Sequence, residues 1–234
     1  MIKSSPHPAT RAFTLIEFLV VVAAIGILAA LAVPSLNSAF ERAKVTKDLS
    51  NLRQIGAATQ MYLNDNNGVF PGSATQTWMS QLEQNQKYLS AWRVLESPFD
   101  KRSTSESGDV TTRISYGINA SILPGNVAIS GDRITKPVTF IVFAPAQDNT
   151  ATAVAFQGLA TTSPPGVTLS GNSNTVTSSP GGVPAGGTNT NRLKINALCA
   201  DWHAETMLWS STTPAFTNTN ATGTDPDAGN RWSP

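Results

Sequence analysis

The chain has 234 residues, 16 Lys and Arg against 15 Asp and Glu, a net charge of +1 and one cysteine. That balance gives no electrostatic case for nucleic-acid binding, and a single cysteine excludes an intrachain disulfide. No P-loop and no nucleophile elbow is present, so no motif speaks for an enzyme.

Lys3 and Arg11 are the only basic Lys or Arg side chains ahead of a long apolar run, and Phe18 to Phe40 is 23 residues without a charge. About 20 apolar residues in a helix cross a bilayer. The short basic flank favours a cytoplasmic N-terminus. Glu17 stands at the mouth of this run with no basic partner beside it, where a carboxylate costs about 2.5–3.5 kcal/mol. Ala30-Leu31-Ala32 has the small-x-small pattern of a signal-peptidase site, yet the helical pattern runs on to Leu36, and a plain signal anchor would gain nothing from Glu17.

Ala12-Phe13-Thr14-Leu15-Ile16-Glu17-Phe18-Leu19-Val20 resembles the N-terminal signal of type IV pilins and type II secretion pseudopilins. The resemblance implies leader cleavage between Ala12 and Phe13, N-methylation of Phe13, and Glu17 as the fifth mature residue. Pro34 then takes the family's proline at mature position 22. The family favours Gly before the cut, and Ala12 stands there. A carboxylate in an apolar bundle has to be paired, so Glu17 is expected to meet the Phe13 amine of a neighbouring subunit and set axial register. Gly26 and Pro34 both weaken a helix and mark a bend or stretch.

Beyond Pro34, Leu36, Phe40, Ala43, Leu49, Leu52, Ile55, Thr59 and Tyr62 keep mostly helical spacing, with Glu41, Arg42, Lys44, Lys47, Asp48 and Arg53 on other faces. One helix from about Phe13 to Leu63 is predicted, ending at Asn64-Asp65-Asn66-Asn67-Gly68. Strands are predicted at 113–118, 138–143, 152–156, 193–199 and 205–209, with a long loop over 163–191 and a loop-like tail after Thr212. The fold class is therefore α+β: a long N-terminal helix packed on a small antiparallel sheet with long loops. The expected organisation is a leader over 1–12, a membrane and polymerisation helix over 13–36, a stalk helix over 37–64, a β-rich periplasmic head over 65–212 and a flexible tail over 213–234.

Gln54 to Tyr62, Asp65 to Pro71, Ser115 to Asn119 and Asn196 to Glu205 resemble a group of bacterial prepilin-like proteins. That group carries a His, nine residues, then Asp-Gly-His near the C-terminus. Asp201 and His203 match it, Asn191 replaces the first His and Trp202 replaces the Gly; Ser97-Pro98-Phe99-Asp100 lacks the group's mid-chain cysteine. Asp201, His203 and Glu205 alternate, so on a strand they would share one face and form a metal or acid/base cluster. No second His or Cys motif supports that, and a polar strand face or hairpin with Trp202 opposite is the expectation. Cys199 reads as a small core residue. Asp225 and Asp227 in the oxygen-rich tail are weak calcium candidates; no catalytic residue, resident metal or cofactor is expected.

The resemblance implies a filament subunit that is stored in the inner membrane, processed by prepilin peptidase/methyltransferase, and assembled with other pilins or pseudopilins on a membrane platform. A minor pilin with substrate- or surface-binding loops is the alternative; an exported hydrolase on a signal anchor is a third reading.

Overall fold

A computed structural model describes residues 14–103, 112–146, 156, 158–159, 168–169, 194–210, 215–218 and 231. The leader, Ala12, Phe13, Asp225 and Asp227 lie outside the described residues, as does the segment predicted as a strand at 152–156 apart from Phe156. The chain divides into two compact units, residues 1–43 and 44–234.

Helix α1 runs from Leu15 to Asp65, 51 residues with Pro34 inside it. In the first unit its side chains from Leu15 to Phe40 are exposed, and its apolar stretch is long enough to cross a membrane. Water is a poor solvent for so many exposed Val, Leu, Ile and Phe side chains. The helix ends where the turn residues were expected: Asn67 and Gly68 adopt φ of 53° and 74°, and the Gly68 N–H donates to the Leu63 carbonyl at 2.8 Å. A left-handed residue after the last turn is a common helix stop.

In the second unit α1 buries Asp48, Asn51, Leu52, Ile55, Gly56, Ala58, Thr59 and Leu63. Leu52, Ile55 and Thr59 are on the predicted face. Asp48 is not on its expected polar face: it is fully buried.

The rest of this unit is α2 (Trp78–Glu83), capped by Thr77, and a six-stranded sheet. Its strands are β1 (Tyr116–Asn119), β2 (Ile141–Pro145), β3 (Thr168–Leu169), β4 (Lys194–Cys199), β5 (Ala204–Ser210) and β6 (Ala215–Asn218), in the order β3-β1-β2-β4-β5-β6. All neighbours are antiparallel except β1 and β3, which are parallel.

Every residue of β1 and β2, and all but Lys194 in β4, is buried. Successive side chains point to opposite faces, so these central strands are covered on both sides. The Trp78 and Phe143 rings lie 4.9 Å apart, and the Ile141 N–H donates to the Arg231 carbonyl at 2.7 Å.

Several boundaries differ from the sequence prediction for local reasons. β2 starts at Ile141 rather than 138, because Pro137 opens a turn in which Thr139 and Phe140 both donate to the Lys136 carbonyl. β1 starts at Tyr116 rather than 113, because the Ile114 carbonyl accepts from Arg102 and the Ser115 N–H donates to the Leu95 carbonyl. β3 falls in the predicted long loop, and β6 and buried Arg231 fall in the predicted flexible tail.

Candidate functional site

Three places combine chemistry with geometry. The first is the start of α1. The Thr14 N–H and Thr14 Oγ1 donate to Glu17 Oε2 at 2.9 and 2.7 Å, and the Glu17 N–H donates back to Thr14 Oγ1 at 3.3 Å. This is a capping box: Ser or Thr at the cap and Glu three residues later satisfy each other's free N–H groups. The Thr14-Leu15-Ile16-Glu17 pattern is the sequence signature of this box. Glu17 therefore has a local duty on α1 besides the inter-subunit one expected of it. Gly26 and Pro34 both lie within the uninterrupted helix, and the space beside Gly26 is open.

The second place is Asp48. Its Oδ1 accepts from Ser97 Oγ at 2.6 Å and Tyr116 Oη at 2.5 Å, and its Oδ2 accepts from Asn196 Nδ2 at 2.7 Å. Asn51 Nδ2 donates to the Glu96 carbonyl at 2.9 Å and lies 3.4 Å from Tyr116 Oη. One carboxyl thus joins α1, the segment after α2, β1 and β4. Burial pushes the Asp48 carboxyl above the usual range, while its three hydrogen bonds pull the other way. Burial, then the neighbouring Asp48, pushes the Tyr116 hydroxyl well above its ordinary value.

The third place is the β4–β5 hairpin. Asp201 and His203 do not lie on a strand with Glu205. They form the turn, in which the Cys199 N–H donates to the His203 carbonyl at 2.9 Å and the Trp202 N–H to the Cys199 carbonyl at 3.0 Å. The His203 N–H donates to Asp201 Oδ1 at 3.2 Å, which folds the carboxylate back onto its own turn. There Asp201 Oδ1 meets His203 Nδ1. His203 Nε2 faces Glu205 Oε1 at 3.8 Å, and Arg231 Nη1 lies 3.5 Å from the same oxygen.

Cys199 completes this group from the end of β4. Its thiol, a His203 ring nitrogen and a Glu205 oxygen lie within 4.8 Å of one another. Burial and then the Glu205 charge push the thiol up to about 12, against a smaller pull from Arg231. Sequence spacing suggested Asp201, His203 and Glu205; it missed Cys199 and Arg231, which only the turn and the chain's return past β2 bring in.

Trp202 is half-buried and adopts φ of 69°. The residue that replaces the group's glycine thus sits in backbone geometry that favours glycine. Its ring packs 6.4 Å from that of Phe70 and against α1 at Gly56, where an added Cβ would lie 3.4 Å from the ring and 3.0 Å from Leu198.

Residues 8–33 match the family described as the prokaryotic N-terminal methylation motif. The chain is 52% identical over 54 residues to the type II secretion system core protein G of Pseudomonas aeruginosa, an alignment covering 23% of this chain and 38% of that protein. It is 32% identical over 129 residues to the type IV major fimbrial protein FimA of Dichelobacter nodosus, covering 55% of this chain and 74% of that protein. The chain thus spans about two fifths of the secretion protein and three quarters of the fimbrial one. No solved structure matches it.

Proposed function

This chain belongs to the family of type IV pilins and type II secretion pseudopilins, and from that premise we propose that it is a structural subunit of a pilus-like or pseudopilus filament rather than an enzyme. The observation that carries the proposal is an exposed apolar helix whose first turn holds Glu17 within the matched methylation motif. Before assembly the lipid bilayer covers the side chains from Leu15 to Phe40, with the N-terminus cytoplasmic and the head beyond the membrane. Cleavage before Phe13 by a prepilin peptidase frees an amine at the end of that helix. In the filament, helices of neighbouring subunits replace the lipid, and Glu17 pairs with the Phe13 amine next to it. Other pilins or pseudopilins and a membrane assembly platform are the partners. Gly26 and Pro34 are the points at which α1 yields as it packs.

The capping box allows a sharp test. Glu17→Gln keeps a side-chain acceptor for the Thr14 N–H but removes the charge, since Gln serves in this box as Glu does. Thr14→Ala removes the cap and keeps the charge. If Glu17 is a subunit contact, Glu17→Gln inserts into the membrane and is processed, yet fails to enter filaments, while Thr14→Ala assembles. Wild-type assembly by Glu17→Gln would leave Glu17 only its local capping duty. Intact mass of the processed chain checks the start at methylated Phe13; a start at Leu31 or Val33 would sink the proposal.

A further inference from the structure

We propose that the β4–β5 hairpin holds a divalent metal site of the zinc class, with Cys199 Sγ, His203 Nε2 and Glu205 Oε1 as ligands and Asp201 as the group that orients His203. Neither the methylation motif nor the filament role calls for such a site, and the proposal does not rest on them.

The ligand set is chemically selective. A thiolate, an imidazole and a carboxylate together suit zinc and other borderline-soft ions rather than calcium or magnesium, which take oxygen. The spacing fits as well. Tetrahedral bonds of about 2.0–2.3 Å place neighbouring ligand atoms roughly 3.4–3.6 Å apart. His203 Nε2 and Glu205 Oε1 are already 3.8 Å apart, and the Cys199 sulfur lies within 4.8 Å of a His203 ring nitrogen and a Glu205 carboxylate oxygen. Contraction by a few tenths of an ångström to about 1 Å closes the site around an ion.

The orientation of His203 is the second, independent observation. Its Nδ1 is engaged by Asp201, so Nε2 is the nitrogen turned toward Glu205. A carboxylate on one ring nitrogen with the other presented to a metal is the usual outer-shell arrangement of a metal-binding histidine. The hairpin turn builds it: Asp201, Trp202 and His203 are held by the Cys199 and His203 backbone bonds, so all these groups sit on one tight loop. His203 and Glu205 remain partly exposed, at 38% and 16% of their side chains, while Cys199 is fully buried. An ion therefore enters from the His203 side with the sulfur behind it. The thiol proton leaves to solvent as the sulfur–metal bond forms, and water fills the fourth position.

Arg231 is the competing cation. Its guanidinium lies 3.5 Å from the Glu205 oxygen that the metal would take. The site therefore makes a prediction that a simple polar cluster does not: removing this cation tightens metal binding.

The full-length chain in detergent micelles is stripped with a chelator and titrated with zinc chloride alone. The readouts are calorimetry, bound metal after desalting, and the near-ultraviolet sulfur-to-metal band of the cobalt-substituted chain. The expected result is one ion per chain with a cobalt–thiolate band. Binding is lost in His203→Ala and Glu205→Gln, weakened about 10–100-fold in Asp201→Asn, and tightened at least several-fold in Arg231→Met. Cys199→Ser removes the cobalt band; should that buried substitution impair folding, the His203, Glu205 and Asp201 variants at less buried positions still decide the matter. No stoichiometric binding overturns the proposal. So does binding that persists in His203→Ala and Glu205→Gln, which would place the ion elsewhere on the chain, and so does Arg231→Met leaving affinity unchanged or weaker.

Discussion

Tyr116→Phe removes one oxygen from the centre of the head, and the structure gives the change a size and a pH dependence. Tyr116 is fully buried, and its hydroxyl donates to Asp48 Oδ1 at 2.5 Å. Among the described residues Asp48 has three donors and no ion-pair partner. Removing a donor from a buried acceptor costs about 1–3 kcal/mol, and this carboxyl is fully buried. For a domain of this size each kcal/mol moves Tm by roughly 2–4 °C, so Tyr116→Phe is expected to lower Tm by about 2–12 °C at pH 8, read by near-ultraviolet circular dichroism on the full-length chain in detergent. A melt within about 1 °C of wild type would refute the role given to this network. The sign with pH follows from Asp48. Burial holds its native carboxyl above the ordinary value of 3.8, so the native state binds the proton first. The contribution of Asp48 to stability is full below that ordinary value and is lost as pH rises through the native pKa. Asp48→Asn cannot ionise and escapes this loss. Its Tm relative to wild type is expected to climb as pH rises through that window, on top of a constant penalty for turning an amide toward the Asn196 donor. A pH-independent difference would show that Asp48 titrates in the fold as it does in the unfolded chain.

Asp100 should behave in the opposite way. Burial raises its carboxyl, but hydrogen bonds from Arg102 and Ser115 outweigh that and hold it below its ordinary range. Its contribution is present above pH 3.8 and is lost as pH falls through the native pKa, so Arg102→Gln should destabilise the head at neutral pH and less so in acid, as followed by acid titration of tryptophan fluorescence. Trp202→Gly should relieve the left-handed backbone cost of about 1 kcal/mol and lose the Phe70 ring and the packing on Gly56. The packing loss is at most about 3–5 kcal/mol, the value for a fully buried aromatic, and for half-buried Trp202 it still exceeds the backbone gain, so Tm should fall; a rise in Tm would mean the ring contributes little. Gly56→Leu should cost at least about 1–3 kcal/mol, because a Cβ there already meets Leu198 at 3.0 Å and Trp202 at 3.4 Å; an unchanged denaturant midpoint would contradict the close approach of α1 to β4.

What the sequence disclosed and what it hid divide along chain distance. The N-terminal signal and the extent of α1 depend on residues that are neighbours in sequence or one turn apart, so a linear reading finds them. The capping box of Thr14 and Glu17 is equally local, three residues apart in the chain. Strands β1, β2, β4 and β5 were legible in kind because β-branched and aromatic residues cluster there, while their starts were set by Pro137 and by loop carbonyls that no propensity encodes. β3 and β6 were not legible: two and four residues carry no periodic signal, and only their partners make them strands. Asp48 shows the same limit more sharply. On a helix full of charges, a lone Asp reads as solvent-facing. What buries it are Ser97, Tyr116 and Asn196, which are 49, 68 and 148 residues away. A buried carboxyl without a cation among the described residues is costly, and it sits where α1, β1 and β4 meet. Its three donors can be satisfied together only when helix and strands are in register, since a shift of one residue along β4 would turn Asn196 to the opposite face. The network therefore fixes how the stalk end of α1 seats on the sheet, a task that apolar contacts of Leu52 and Ile55, which tolerate small slips, would not perform alone.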